Sequence, residues 1–162
     1  MAMPAFTKFR HARALTSVAL ALAGFVAFGL VQAVPASAAP CVRIYRISYN
    51  SPGRDTGGTT SLNAEWISLY NSCPTGRYLK AWRIRDAVGH TYTFGSYMLG
   101  GHGTVRVHTG KGRDTAGDRY WGSGWYIWNN DGDTAYLRDR SGTLLDKCSY
   151  NDPSESFSWT NC

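Results

Sequence analysis

Beyond Pro40 the apolar residues fall in short runs with a period of two, separated by clusters of Gly, Asn, Asp and Ser. No stretch there keeps helical spacing for ten positions, so the pattern predicts an all-β chain. In Trp82-Arg83-Ile84-Arg85 apolar positions alternate with arginines, which gives a strand with one face buried and the other in water. Tyr92 and Phe94, Val105 and Val107, and Ala135 and Leu137 repeat the alternation. In Glu65-Trp66-Ile67-Ser68-Leu69-Tyr70-Asn71, Ile67 and Leu69 share the inward parity, with Trp66 and Tyr70 on the opposite face. The first run changes parity between Val42 and Ile44 and the later pair Ile47 and Tyr49, which predicts a bulge or a crossing between sheets near Tyr45.

Turn signals set the strand count. Asn50 through Thr60 reads as a polar loop, Asp86-Ala87-Val88-Gly89 and Asp139-Arg140-Ser141-Gly142 as hairpin connections, and Gly100-Gly101-His102-Gly103 as a break in the middle. Seven or eight strands result. Packed as two sheets they form an immunoglobulin-like β-sandwich, although periodicity alone equally allows a small barrel. The expected core is Ile67, Leu69, Trp82, Ile84, Val105, Val107 and Leu137, with Trp82 between the sheets and Trp125 and Trp128 also drawn inward.

Charge and composition set the compartment and the number of domains. The chain has 162 residues, with 17 Lys and Arg against 11 Asp and Glu. Lys8-Phe9-Arg10-His11-Ala12-Arg13 makes a positive start to an apolar run from Ala14 to about Val31, and Ala36-Ser37-Ala38 fits a signal-peptidase site. Residues 1–38 are therefore expected to be a signal peptide, and the product to be secreted or held at the cell surface without a stable membrane anchor. Residues 39–162 keep 14 basic and 11 acidic side chains, a net charge of +3, which is too slight to imply nucleic-acid binding by itself. Their 16 glycines and 18 aromatics argue against a helical bundle, a coiled coil or a disordered tail. One domain is expected over residues 39–150, followed by a polar tail over 151–162.

Cys41, Cys73, Cys148 and Cys162 all follow the cleavage site, and an even count in a small exported chain reads as two disulfides. If the first two strands pair as antiparallel neighbours, the start of one meets the end of the other, which joins Cys41 to Cys73 and leaves Cys148 for Cys162.

Four stretches carry a family resemblance. They are Asn63 to Asn71, Leu79 to Asp86 with Tyr92-Thr93-Phe94, His108-Thr109-Gly110-Lys111-Gly112, and Trp128-Asn129-Asn130-Asp131-Gly132-Asp133-Thr134-Ala135-Tyr136-Leu137-Arg138-Asp139. In this order, over about Val42 to Tyr150, the chain resembles the lamin tail domain in its bacterial, secreted form. The resemblance implies an immunoglobulin-like sandwich and suggests a binding or scaffolding module for a macromolecule or envelope component; it does not imply an enzyme, and none is expected.

Candidate chemistry is sparse. Arg106, His108, Lys111, Arg113 and Arg119, followed by Tyr120 and Trp121, form the best binding stretch, a basic and aromatic loop suited to a nucleic acid or an anionic polysaccharide. His108 is expected as a solvated strand residue, and Glu65, the one acid inside an expected strand, as a partner for an arginine or a backbone amide. The oxygens of Asn129 to Asp133 lack the spacing of a calcium loop and read as a turn. No nucleophile elbow or paired carboxylates are visible, so neither a small enzyme nor an inhibitor is favoured, and no metal or cofactor is expected.

Overall fold

The computed structural model describes residues 39–162, and the expected signal peptide lies outside the described residues. In chain order the elements are β1 Val42–Ser48, helix α1 Thr59–Ala64, β2 Trp66–Asn71, β3 Arg77–Tyr78, β4 Arg83–Arg85, β5 Thr91–Thr93, β6 Met98–Leu99, β7 Thr104–His108, β8 Asp118–Tyr120, β9 Gly132–Arg138, β10 Leu144–Asn151 and β11 Trp159–Asn161. One sheet has the order β11-β1-β2-β7-β8, a second β10-β9-β4-β5, and β3 with β6 makes a two-stranded ribbon. Every pairing is antiparallel except that of β7 with β8. The eleven strands exceed the seven or eight expected because several span only two or three residues, too short for alternation to reveal. Among the described residues no helix is long and apolar enough to cross a membrane.

Register explains the packing. Ile47 lies opposite Ile67 and Ile67 opposite Val107, while Ile44 lies opposite Leu69 and Leu69 opposite Val105. Two apolar rows therefore cross the larger sheet on its inner side. From the smaller sheet Ile84, Ala135, Leu137 and Cys148 join the same buried cluster, completed by Leu79, Phe94 and Trp128. Each fully buried Ile or Leu in it contributes about 1.5 to 3 kcal/mol.

The parity change near Tyr45 is a β-bulge, with the register of β1 against β2 shifting between Ile44 and Arg46. Asp146 of β10 accepts a hydrogen bond from the Ile44 amide at 2.8 Å, so the first half of β1 is met by the smaller sheet. Its second half is covered by β11. Both hairpin connections close on an aspartate. The Asp86 carboxylate accepts from the amides of Gly89 and His90 at 2.6 and 2.7 Å, and that of Asp139 from the amides of Ser141 and Thr143, each at 2.9 Å. At Gly101 a Cβ would stand 1.9 Å from the Pro74 carbonyl oxygen, so only glycine fits.

Cys41 joins Cys73 and Cys148 joins Cys162, with Cα atoms 5.3 and 5.7 Å apart. On the chain-entropy account, loops of these lengths make each bridge worth about 3 to 4 kcal/mol.

Several expectations are corrected. Trp82 is only half-buried, because it follows a tight turn in which Ala81 has φ of 65° and the Trp82 amide bonds the Leu79 carbonyl, which leaves its ring at the margin of the core. Trp128 is the large enclosed ring instead, at 1% exposure, whereas Trp125 is 61% exposed. The loop from Asn50 ends in helix α1, which buries Leu62, and Glu65 caps that helix rather than lying within β2. Residues 151–162, expected as a polar tail closed by the Cys148–Cys162 bridge, also carry β11 as an edge of the larger sheet.

Candidate binding face

The inward rows of the larger sheet leave a second set of side chains facing outward. Across one row Asn161, Arg46, Ser68, Arg106 and Asp118 stand in register, and across the next Trp159, Ser48, Trp66, His108 and Tyr120. Arg43 and Tyr70 pair in a further row, and Tyr45 occupies the bulge. The arginines lie against aromatic rings. Arg46 is 4.3 Å from the Trp159 centroid, Arg106 is 4.9 Å from that of Trp66, and Arg43 lies between Tyr45 and Tyr70 at 5.5 and 5.6 Å. Among the described residues none of these three arginines forms an ion pair. Asn161 holds the Arg46 guanidinium by accepting its Nε hydrogen at 2.8 Å.

The residues singled out in the sequence do not gather into one loop. Arg106 lies on this outer face. His108 does too, but it is not a free solvated side chain: Nδ1 faces the Asn63 carbonyl at 2.8 Å, Nε2 the Asp118 carboxylate at 3.0 Å, and its ring stacks on Tyr120. The hydrogen bond from His108 is the main reason the Asp118 carboxyl is held below its usual range. Arg119 has the opposite parity, stacks on Tyr97 at 4.0 Å and lies 3.7 Å from Asp114. Trp121 packs against Tyr92 and Trp128 beside the core. Lys111 and Arg113 are exposed on the connection between β7 and β8. Only the pairing register of β1, β2 and β7 unites Arg43 and Arg46 with Trp66, Tyr70 and Arg106, so no run in the sequence points to the β1 arginines. Their sequence signal was the outward parity of Trp66 and Tyr70.

Glu65 is the most perturbed carboxyl. It is wholly buried, and burial pushes its pKa up to about 7 against the opposing effect of its hydrogen bonds. One oxygen accepts from the Thr109 hydroxyl at 2.5 Å and from the amides of Ile127 and Trp128 at 2.8 and 3.2 Å, while the other has no partner. Among the described residues no arginine approaches it within ion-pair distance. A perturbed carboxyl often marks an active site, but one with no exposed surface meets no substrate; its contacts instead fasten the strap between β8 and β9 to the sheet. Asp133 likewise serves backbone amides, those of Ala87 and Thr134 at 3.1 and 2.6 Å. Among the described residues no three His, Cys, Asp or Glu side chains gather as a metal-ligand set.

Two sheets packed over one buried cluster, with two disulfides, make an immunoglobulin-like β-sandwich module. A family model described as Lamin Tail Domain matches residues 35–152, and the chain belongs to that family. Comparison with curated proteins finds no match. Strand β11, which contributes Trp159 and Asn161 to the outer face, lies beyond the matched residues.

Proposed function

We propose that this lamin tail domain is an exported, non-catalytic binding module that holds a macromolecule or cell-envelope component on the outer face of its larger sheet. The observation that carries the reading is the set of three guanidinium groups laid against aromatic rings on one flat face, with no ion pair to neutralise them. Exposed apolar and cationic surface gathered on a rigid sheet is a feature of interaction sites. The two disulfides support an oxidising compartment. The enclosure of Glu65 and the structural duties of Asp86 and Asp133 support the absence of catalysis.

The outer face is a better candidate than the connection between β7 and β8, where the Arg119 charge already faces Asp114. The test is co-sedimentation with cell envelopes prepared from the producing organism. Wild-type protein should pellet and the Arg43→Gln/Arg46→Gln/Arg106→Gln variant should stay in the supernatant. Equal pelleting of the two would refute the reading.

A further inference from the structure

The centre of this face has a geometry of its own. Arg46 and Arg106 both stand opposite Ser68, one on each neighbouring strand. Their Cα atoms are thus about two strand spacings, roughly 9 to 10 Å, apart. Ser68 is almost fully buried, so the short residue makes the floor of a depression between two long cationic walls. This depression of about 190 Å³ is lined by Tyr45, Arg46, Trp66, Ser68, Thr104 and Arg106, with no carboxylate among them. The nearest acid in register, Asp118, gives its two oxygens to His108 and Thr115 and meets the Arg106 charge only beyond ion-pair distance.

Two like charges held over one hollow repel each other, and a guest anion removes that repulsion. Arg46 is held by Trp159 and Asn161, and the exposed Arg106 side chain lies against Trp66, which reduces the side-chain freedom lost on binding. A planar guanidinium donates through a fork that matches the oxygens of a phosphate or carboxylate.

Resting on the reading of this face as the binding surface, we propose that Arg46 and Arg106 clamp one phosphate or carboxylate group of an acidic glycopolymer across Ser68. A nucleic acid is disfavoured by the same contacts. Bases bind single-strand sites by stacking on open ring faces, whereas here arginines already lie against Trp66, Trp159, Tyr45 and Tyr70. What the surface presents outward is N–H donors and charge, beside the partly exposed rings of Tyr45 and Trp159.

The test is calorimetric titration of the disulfide-intact protein with four probes: glycerol-phosphate oligomers, oligogalacturonate, a neutral gluco-oligosaccharide and a ten-residue oligothymidylate. At least one of the first two should bind, and which one does distinguishes a phosphate source from a carboxylate source. The neutral sugar should not bind. Arg46→Gln and Arg106→Gln should each weaken binding about tenfold, while Arg140→Gln, remote in the β9–β10 hairpin, should leave it unchanged. Circular dichroism melts of the variants should match wild type, which separates lost binding from lost folding. If neither acidic glycan binds while the envelope co-sedimentation above still depends on the three arginines, the glycopolymer assignment fails and the face survives. If co-sedimentation is also indifferent to them, both fail. Tighter binding of oligothymidylate than of either acidic glycan would overturn the assignment in favour of a nucleic acid.

Discussion

A carboxyl group sealed beneath Thr109, Ile127 and Trp128 makes the protein's stability depend on proton uptake at Glu65. Its folded pKa of about 7 stands above the ordinary value of 4.5. Between those values the folded state binds more protons than the unfolded chain. Stability from the neutral form is therefore complete below about pH 4.5 and is lost as the pH rises to about 7, by roughly 3 kcal/mol in all. Glu65→Gln keeps the shape and the accepting oxygen but cannot ionise. Thermal melts of wild type should fall between pH 5 and pH 8 by several degrees more than those of Glu65→Gln; parallel curves would show that Glu65 does not titrate there. Burial also raises the Asp133 pKa, in the same direction, which is why the comparison is with the variant rather than with a flat line. Asp118 and Asp152, held below their ordinary value of 3.8, matter only in more acid solution. The buried rings make a second residue-scale contrast. Trp128→Ala should cost about 3 to 5 kcal/mol and Trp82→Ala clearly less, measured by chemical denaturation. The reverse order would mean that Trp82 fills the centre.

Among the elements, β11 has the most to lose from a single covalent change. It comprises only Trp159–Asn161, it pairs with β1 alone, and Cys162 ties it to Cys148 of β10. Three residues of edge strand hold poorly by themselves. Cys148→Ser/Cys162→Ser should free β11, expose amides on the second half of β1 to hydrogen exchange, and take Trp159 from beneath Arg46. Unchanged protection at Ile47 and Tyr49, whose amides face β11, would show that the strand holds without its clip. Elements of this kind explain what was legible in the sequence. Strands such as β7 and β9, with Val105 and Val107 or Ala135 and Leu137, carry enough alternation to be read, and the aspartate and glycine of each hairpin identify the turn. Strands β3 and β6 contain two residues each, and no periodicity exists in two positions. The tail read as polar because β11 buries little of itself and depends on pairing and a disulfide. The family resemblance gave the sandwich, but a resemblance ending near Tyr150 could not supply a strand beyond it.

For the whole molecule, the fold sorts side chains by face, and that sorting was only half visible beforehand. Inward residues could be taken from parity strand by strand. The proposed binding face could not, because it joins outward positions of β1, β2, β7 and β11 far apart in sequence, such as Arg46 and Asn161, 115 residues apart. A run of basic and aromatic residues in sequence does not stay together in the fold. The sandwich distributes Arg106, Arg119 and Trp121 to the outer face, the rim against Tyr97 and the margin of the core respectively. The measurement that tests the central claim most directly is a nitrogen–proton NMR titration with soluble fragments of the envelope. Signals of Arg46, Ser68, Trp66 and Arg106 should shift together and saturate at one stoichiometry. Shifts confined to Lys111 through Asp118, or to the hollow beside Tyr78 and Trp82, would place the binding surface elsewhere and contradict the account.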